Sequence, residues 1–230
     1  MTNYSTHNSS NKTVGFWQKY QFYWLLIAAI IIRQIPFVAL PFNWLESYFH
    51  EISHGVAALI TGGNIIRIQL FANGAGLCTT QGGLSFLISF LGYAGASFWG
   101  WGIYRLAQAH QRAAQFFSGA ILLLLLCSVI FWSRDLLTWV ILGCLITIFV
   151  LTIKVQQLRY LQVVMQFLGI SILLNSLFSP FYLLDGRHVG DGATLASMTF
   201  IPEIIWVAIW CLIALFALYA LAPKNAASLK

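Results

Sequence analysis

The chain has 230 residues, of which 60% are hydrophobic and only 8% charged, whereas an ordinary soluble domain carries roughly a quarter charged residues. So few charges cannot clothe a water-facing surface, which excludes a soluble globular enzyme and makes lipid the solvent. The formal charge of +6 comes from basic residues scattered mostly singly near the ends of apolar runs, the pattern of anchors facing headgroups, which argues against nucleic acid as a partner.

Residues 1–19 read as a polar N-terminal tail, with Lys12 and Lys19 before the apolar run from Tyr20. No small-residue cleavage site follows, so the run is expected to be retained as a first span. Apolar segments at about 20–40, 44–61, 84–107, 115–133, 136–153, 160–180 and 201–222 predict an all-α polytopic membrane protein of six to seven transmembrane helices. They form a single membrane-embedded domain over 20–222, followed by a C-terminal tail at 223–230. Counted over seven spans, Lys and Arg give no orientation.

Arg33, Pro36 and Pro41 turn the chain after the first segment. In the second, Asn43 is placed to cap the helix and Glu46 to reach back to it; Thr61-Gly62-Gly63 ends it. The alternation at Ile66, Ile68 and Leu70, with Asn73-Gly74 as a turn signal, predicts a short β-hairpin after this helix, at the interface or inside the protein. Cys78, Cys127, Cys144 and Cys211 form no CxxC pair and read as small buried hydrophobes. Gly92, Gly95 and Gly100 read as sites of close helix packing.

Only six residues are acidic, and two fall in Glu46 to His54, ESYFHEISH. Ionisable groups inside an apolar helix are costly and mark function by default. Residues four apart share a helix face, so His50 and His54 can hold one metal ion while Glu51 flanks it, the HExxH arrangement of zinc hydrolases. Zinc needs a third protein ligand and an open position for water, whose proton Glu51 would take as it attacks a carbonyl. Three polar groups buried in lipid without a partner would cost roughly several kcal/mol, and a bound ion is the simplest compensation.

The third ligand must come from another polar interruption. Asp135 follows Arg134 between two spans and reads as a surface ion pair. Glu203 after Pro202 reads as the first turn of the last helix, and His110 in QAHQR as solvent-exposed. That leaves residues 173–196, LLNSLFSPFYLLDGRHVGDGATLA, a polar break of the kind that builds irregular backbone around a buried site. The two histidines lie seven to eleven residues into their helix, roughly 10 to 16 Å deep at about 1.5 Å per residue. Either one segment does not span fully, or the chain near 180–200 dips back into the membrane.

At FHEISHGVAALITGG (49–63), LGYAGASFWG (91–100) and NSLFSPFYLLDGRHV (175–189), the sequence resembles the site-2 protease family of intramembrane zinc metalloproteases. The resemblance covers the membrane core and marks 20–222 as metalloprotease-like. It implies zinc held by His50, His54 and Asp185, Glu51 as catalytic base, a hairpin that presents an unwound substrate strand, and Asn175 as a support for substrate or site backbone. The family's Asp-Gly-Gly-Arg is here Asp185-Gly186-Arg187-His188, and Asp191 in GDGATLA is the alternative third ligand.

The function expected is hydrolysis of peptide bonds in transmembrane segments of other membrane proteins, within the bilayer. The alternatives are a membrane zinc hydrolase of a non-peptide substrate, since HExxH fixes the water and not the scissile group, and a pseudoprotease that binds transmembrane helices, for which Glu51 would be superfluous.

Overall fold

The computed structural model describes residues 10–154 and 157–223, with side chains from Tyr20 onward. Among the described residues there are eight α-helices and a two-stranded sheet that packs on the second and fifth of them: α1 (Ser10–Arg33), α2 (Pro36–Ile60), α3 (Ser85–Ala109), α4 (Gln111–Phe131), α5 (Leu136–Lys154), α6 (Leu158–Phe178), α7 (Asp191–Thr199) and α8 (Glu203–Leu221). Helices α3, α4, α5, α6 and α8 are each long and apolar enough to cross a membrane, and α1 with α2 passes the same test as one pair bent by 112°. The protein is an integral, multi-pass membrane protein. Helix α1 starts inside the stretch read as a polar tail, while residues 1–9 and 224–230 lie outside the described residues.

The bend sits where the prolines predict a turn. Ile35 is extended, with φ −105° and ψ 98°, and Pro36 occupies the first turn of α2; a residue before proline is pushed out of the helical region, and proline's missing N–H costs nothing at a helix start. Helix α2 therefore begins several residues ahead of Asn43, and the expected Asn43–Glu46 cap is not made. With the helix start supplied by Pro36, both side chains turn to tertiary contacts at the end of α6: Asn175 Nδ2 donates to Asn43 Oδ1 at 3.0 Å, and Ser179 Oγ donates to Glu46 Oε1 at 3.0 Å.

The hairpin forms as predicted, β1 (Asn64–Leu70) pairing antiparallel with β2 (Gly76–Gln81). Gly74 at φ +88° makes the turn, and Ser47 Oγ donates to its carbonyl. Ile68 N–H donates to the Trp132 carbonyl and Leu70 N–H to Thr138 Oγ1, both 3.0 Å. One edge of the sheet is thus satisfied inside the protein, as a low-dielectric surround demands. Asp135 pairs not with its neighbour Arg134 but with Arg67 of β1, at 3.0 Å, while its other oxygen accepts from Thr138 N–H. It therefore ties the hairpin to the start of α5.

Helix α3 is central, packed against both α2 and α6. At the α3–α6 crossing, a Cβ on Gly169 would lie 2.7 Å from the Gly100 carbonyl oxygen and 2.9 Å from Tyr104 N, so only glycine lets the backbones approach this closely. We expect Gly169→Val to destabilise the protein by about 1–3 kcal/mol through overpacking, read as a lower thermal unfolding midpoint in detergent. Gly143→Ala, on a face of α5 with open space around it, is expected to leave the midpoint unchanged.

Candidate metal centre

The second half of α2 carries the site. Glu51 and His54 are buried, and the ligand atoms of His50, Glu51 and His54 lie within 4.8 Å of one another. The two imidazoles face each other nitrogen to nitrogen, with Nε2 to Nε2 at 2.9 Å. His54 Nδ1 lies 2.7 Å from the Ile88 carbonyl. A carbonyl only accepts, so this contact places the ring proton on Nδ1 and leaves Nε2 with a lone pair for a metal, the outer-shell arrangement common to metal-binding histidines.

Asp191, the first residue of α7, completes the group. Its Oδ2 is 3.2 Å from His50 Nε2 and 3.3 Å from His54 Nε2. The three atoms form a nearly equilateral triangle, and ligands about 2.0–2.1 Å from one tetrahedral zinc are themselves about 3.3 Å apart. Two imidazole nitrogens and one carboxylate oxygen are also a donor set zinc favours. The residues present fit the ion.

Asp185, the first choice for third ligand, lies elsewhere. It is exposed, and Arg187 clamps it, the backbone N–H donating to Oδ1 at 2.9 Å and Nε to Oδ2 at 2.6 Å. These hydrogen bonds hold its carboxyl below the usual carboxylate range. Among the described residues, the carboxylate within 4 Å of either metal-site histidine is that of Asp191. After α6 the chain makes a short 3-10 turn, Ser179–Leu184, and then an irregular stretch with positive φ at Gly186, His188 and Gly190. It folds back as α7, only nine residues long and too short to cross a membrane. Leu195 anchors α7 among Trp206, Trp210 and Tyr93, while Gly192 lies against the Glu203 side chain. Of the two ways to bring residues near 180–200 to the depth of the histidines, the chain takes the return.

The surroundings of Glu51 carry no signature in the sequence. The Cys78 backbone N–H donates to its carboxylate, and Gly76 abuts the same side chain so closely that a Cβ there would clash with it. The hairpin therefore both positions and covers the candidate base. Tyr93 packs edge-on against His50, with ring centroids 4.2 Å apart. Gly92, one residue earlier, occupies space that a side chain would take from both histidine rings. Asn175 is not at the metal group; it bonds to Asn43, nearly two turns before His50 on α2. His110 is exposed and caps α4, its Nδ1 accepting from Arg112 N–H at 3.1 Å.

Residues 23–221 match the family described as Peptidase M50B-like, which is the site-2 protease family. The chain belongs to that family. Membership supports a membrane metalloprotease acting on membrane proteins in a lipid bilayer, and site-2 proteases are zinc enzymes. No curated protein and no solved structure matches the chain.

Because α3 can lie this close to both histidine rings only with glycine at position 92, we expect Gly92→Ala to push the two histidines apart and lower bound zinc in purified protein, measured by elemental analysis. Gly102→Ala, on the same helix with nothing within 4 Å, is expected to retain the wild-type zinc content.

Proposed function

We propose that this chain is an intramembrane zinc endopeptidase that cuts peptide bonds in transmembrane segments of other membrane proteins. The observation that carries the reading is the meeting of Asp191 Oδ2 with both Nε2 atoms, beside a Glu51 held by the hairpin. His50, His54 and Asp191 are the ligands in this reading, Glu51 is the general base, and residues 20–222 are one catalytic domain.

Zinc bound to these three residues would act as a Lewis acid, polarising a carbonyl and making a bound water more acidic. The rest of the chemistry falls to the chain. Glu51 sits next to His50 on the helix, so its carboxylate can accept the water's proton as the oxygen attacks the scissile carbonyl carbon. Once the C–N bond breaks, it can deliver that proton to the leaving amine. The Cys78 N–H donor keeps the carboxylate in one orientation while doing so. Burial of Glu51 and His54 removes competing bulk water, which strengthens each of these interactions.

A helical substrate hides its peptide bonds within its own turns, so a segment must unwind to be cut. Strand β2 is suited to receiving it: the Ile68 and Leu70 N–H groups of β1 are taken by Trp132 and Thr138, whereas β2 runs past Glu51, which takes its Cys78 N–H. A substrate strand paired with β2 would have its backbone satisfied in a low-dielectric site and its carbonyls near the base. Asn175 and Asn43 lie at the turn end of the hairpin, where a support for the substrate or site backbone belongs.

The test pairs metal content with cleavage of a transmembrane peptide by purified full-length protein in lipid. The wild type is expected to hold one zinc per chain. His54→Ala and Asp191→Ala should each lose it and all cleavage, while Asp185→Ala keeps the metal. Glu51→Gln is expected to keep the zinc and lose at least roughly a hundredfold in kcat, the scale of a general base. Zinc binding with no cleavage of any transmembrane peptide would leave a pseudoprotease or a hydrolase of another substrate. A wild type without zinc after metal-replete purification would sink the proposal.

A further inference from the structure

A second polar site lies at the opposite end of the bundle, where α3 turns into α4 at His110 and α5 ends before α6 begins. The chain's six acidic residues, Glu46, Glu51, Asp135, Asp185, Asp191 and Glu203, belong to the half that carries the metal group and hairpin. Among the described residues, the far end carries Arg105, Arg112, Lys154 and Arg159 with no acidic residue. Between α1, α3 and α6 at that end is a cleft of 220 Å³ lined by Gln21, Tyr104, Gln108, Arg159, Gln162 and Gln166. It penetrates about two turns into α6, down to the buried Gln166. Gln166 is buried and Gln21 and Gln162 half-buried, beside the exposed Gln108 and Arg159; polar groups that run this far into membrane helices are costly unless something polar occupies the space between them.

The hydrogen bonds within the cleft define what that occupant must offer. Gln166 Oε1 accepts from Gln21 Nε2 at 2.6 Å, and Gln108 Oε1 accepts from Arg105. Among the described residues, the –NH₂ groups of Gln166 and Gln108 therefore remain as donors, beside the Arg159 guanidinium, which has no ion pair there. Gln162 Nε2 donates to the Ala107 carbonyl at 2.7 Å, so among the described residues the side-chain carbonyls of Gln162 and Gln21 remain as acceptors. A single anion with hydroxyl groups satisfies both sets. Phe22 and Val163 add an apolar wall, and the cleft opens at the level where single cations mark the headgroup layer.

We propose that this cleft binds the headgroup of an anionic phospholipid, its phosphate on Arg159 and the Gln108 and Gln166 amides, and its hydroxyls on the Gln21 and Gln162 carbonyls. The site is independent of the protease reading and holds whether or not the protein cuts peptides.

The experiment uses the full-length protein in a neutral detergent, with phosphatidylglycerol or phosphatidylcholine added at equal concentration. Retained lipid is counted by native mass spectrometry, and the thermal unfolding midpoint is recorded alongside. One phosphatidylglycerol per chain and a raised midpoint are expected, with phosphatidylcholine producing neither. Arg159→Gln and Gln166→Leu should each weaken phosphatidylglycerol binding roughly tenfold, the scale of a lost hydrogen bond to a charged group. Arg112→Gln removes a cation from the same end but outside the cleft and should leave binding intact. Equal retention of the two lipids, or equal weakening by Arg112→Gln and Arg159→Gln, would overturn the proposal in favour of a diffuse basic surface. Displacement of the lipid by free glycerol phosphate at matched concentration would overturn the lipid assignment in favour of a soluble anion.

Discussion

Burying ionisable groups in an apolar helix is the constraint on which this architecture turns. Helix α2 carries Glu46, Glu51 and His54 buried, with His50 beside them, in a protein whose other charges mostly sit at helix ends. Each such group, left without a partner, would cost several kcal/mol in a low-dielectric surround. The rest of the fold supplies the partners: the hairpin brings an N–H to Glu51, the end of α6 brings Ser179 to Glu46, the start of α3 brings the Ile88 carbonyl to His54, and α7 brings Asp191 to both histidines. Four elements converge on one helix because that helix cannot be buried alone.

Seen this way, the glycines and the irregular backbone share a purpose. Helix α3 can lie close enough to orient His54 only because Gly92 leaves room for both rings, and β2 can lie against Glu51 only because Gly76 has no side chain. Any Cβ at either position would separate the partner from the group it satisfies. The stretch between α6 and α7 is a larger version of the same device. Non-helical backbone at membrane depth is tolerable where it is enclosed by protein, and here it allows a nine-residue helix to re-enter and bring Asp191 to both histidines.

The parts legible in the sequence were those with a local signature. Apolar runs and their breaks marked the helices, Asn73-Gly74 marked the hairpin, and the spacing of His50, Glu51 and His54 marked one helix face. What stayed hidden depended on distance in the chain. Asn43 and Glu46 have the spacing of a capping box, but Pro36 starts the helix earlier and frees both side chains for α6. Asp185 sits in the motif that resembles the family signature, yet Arg187, two residues on, captures its carboxylate. Asp191, six residues later, starts a helix whose position is set by Leu195 packing among Trp206, Trp210 and Tyr93. No local pattern encodes that packing, and the backbone donors and acceptors around the site have no residue type to announce them.

The distribution of charge across the bundle follows from the same physics. Carboxylates appear where they are bound to something specific: a histidine pair, a backbone N–H, a serine, an arginine or a helix start. The far end needs none of these, because there the basic groups meet the headgroup layer, whose own charge compensates them. In the cleft with Arg159, polar side chains from α1, α3 and α6 continue inward past the helix termini and face one another. Its polarity cannot be assigned to the candidate metal centre, which lies in the other half of the molecule, nor to helix capping, since Gln162 and Gln166 lie beyond the first turn of α6. A polar occupant that enters from the headgroup layer accounts for both its depth and its lack of any acidic residue.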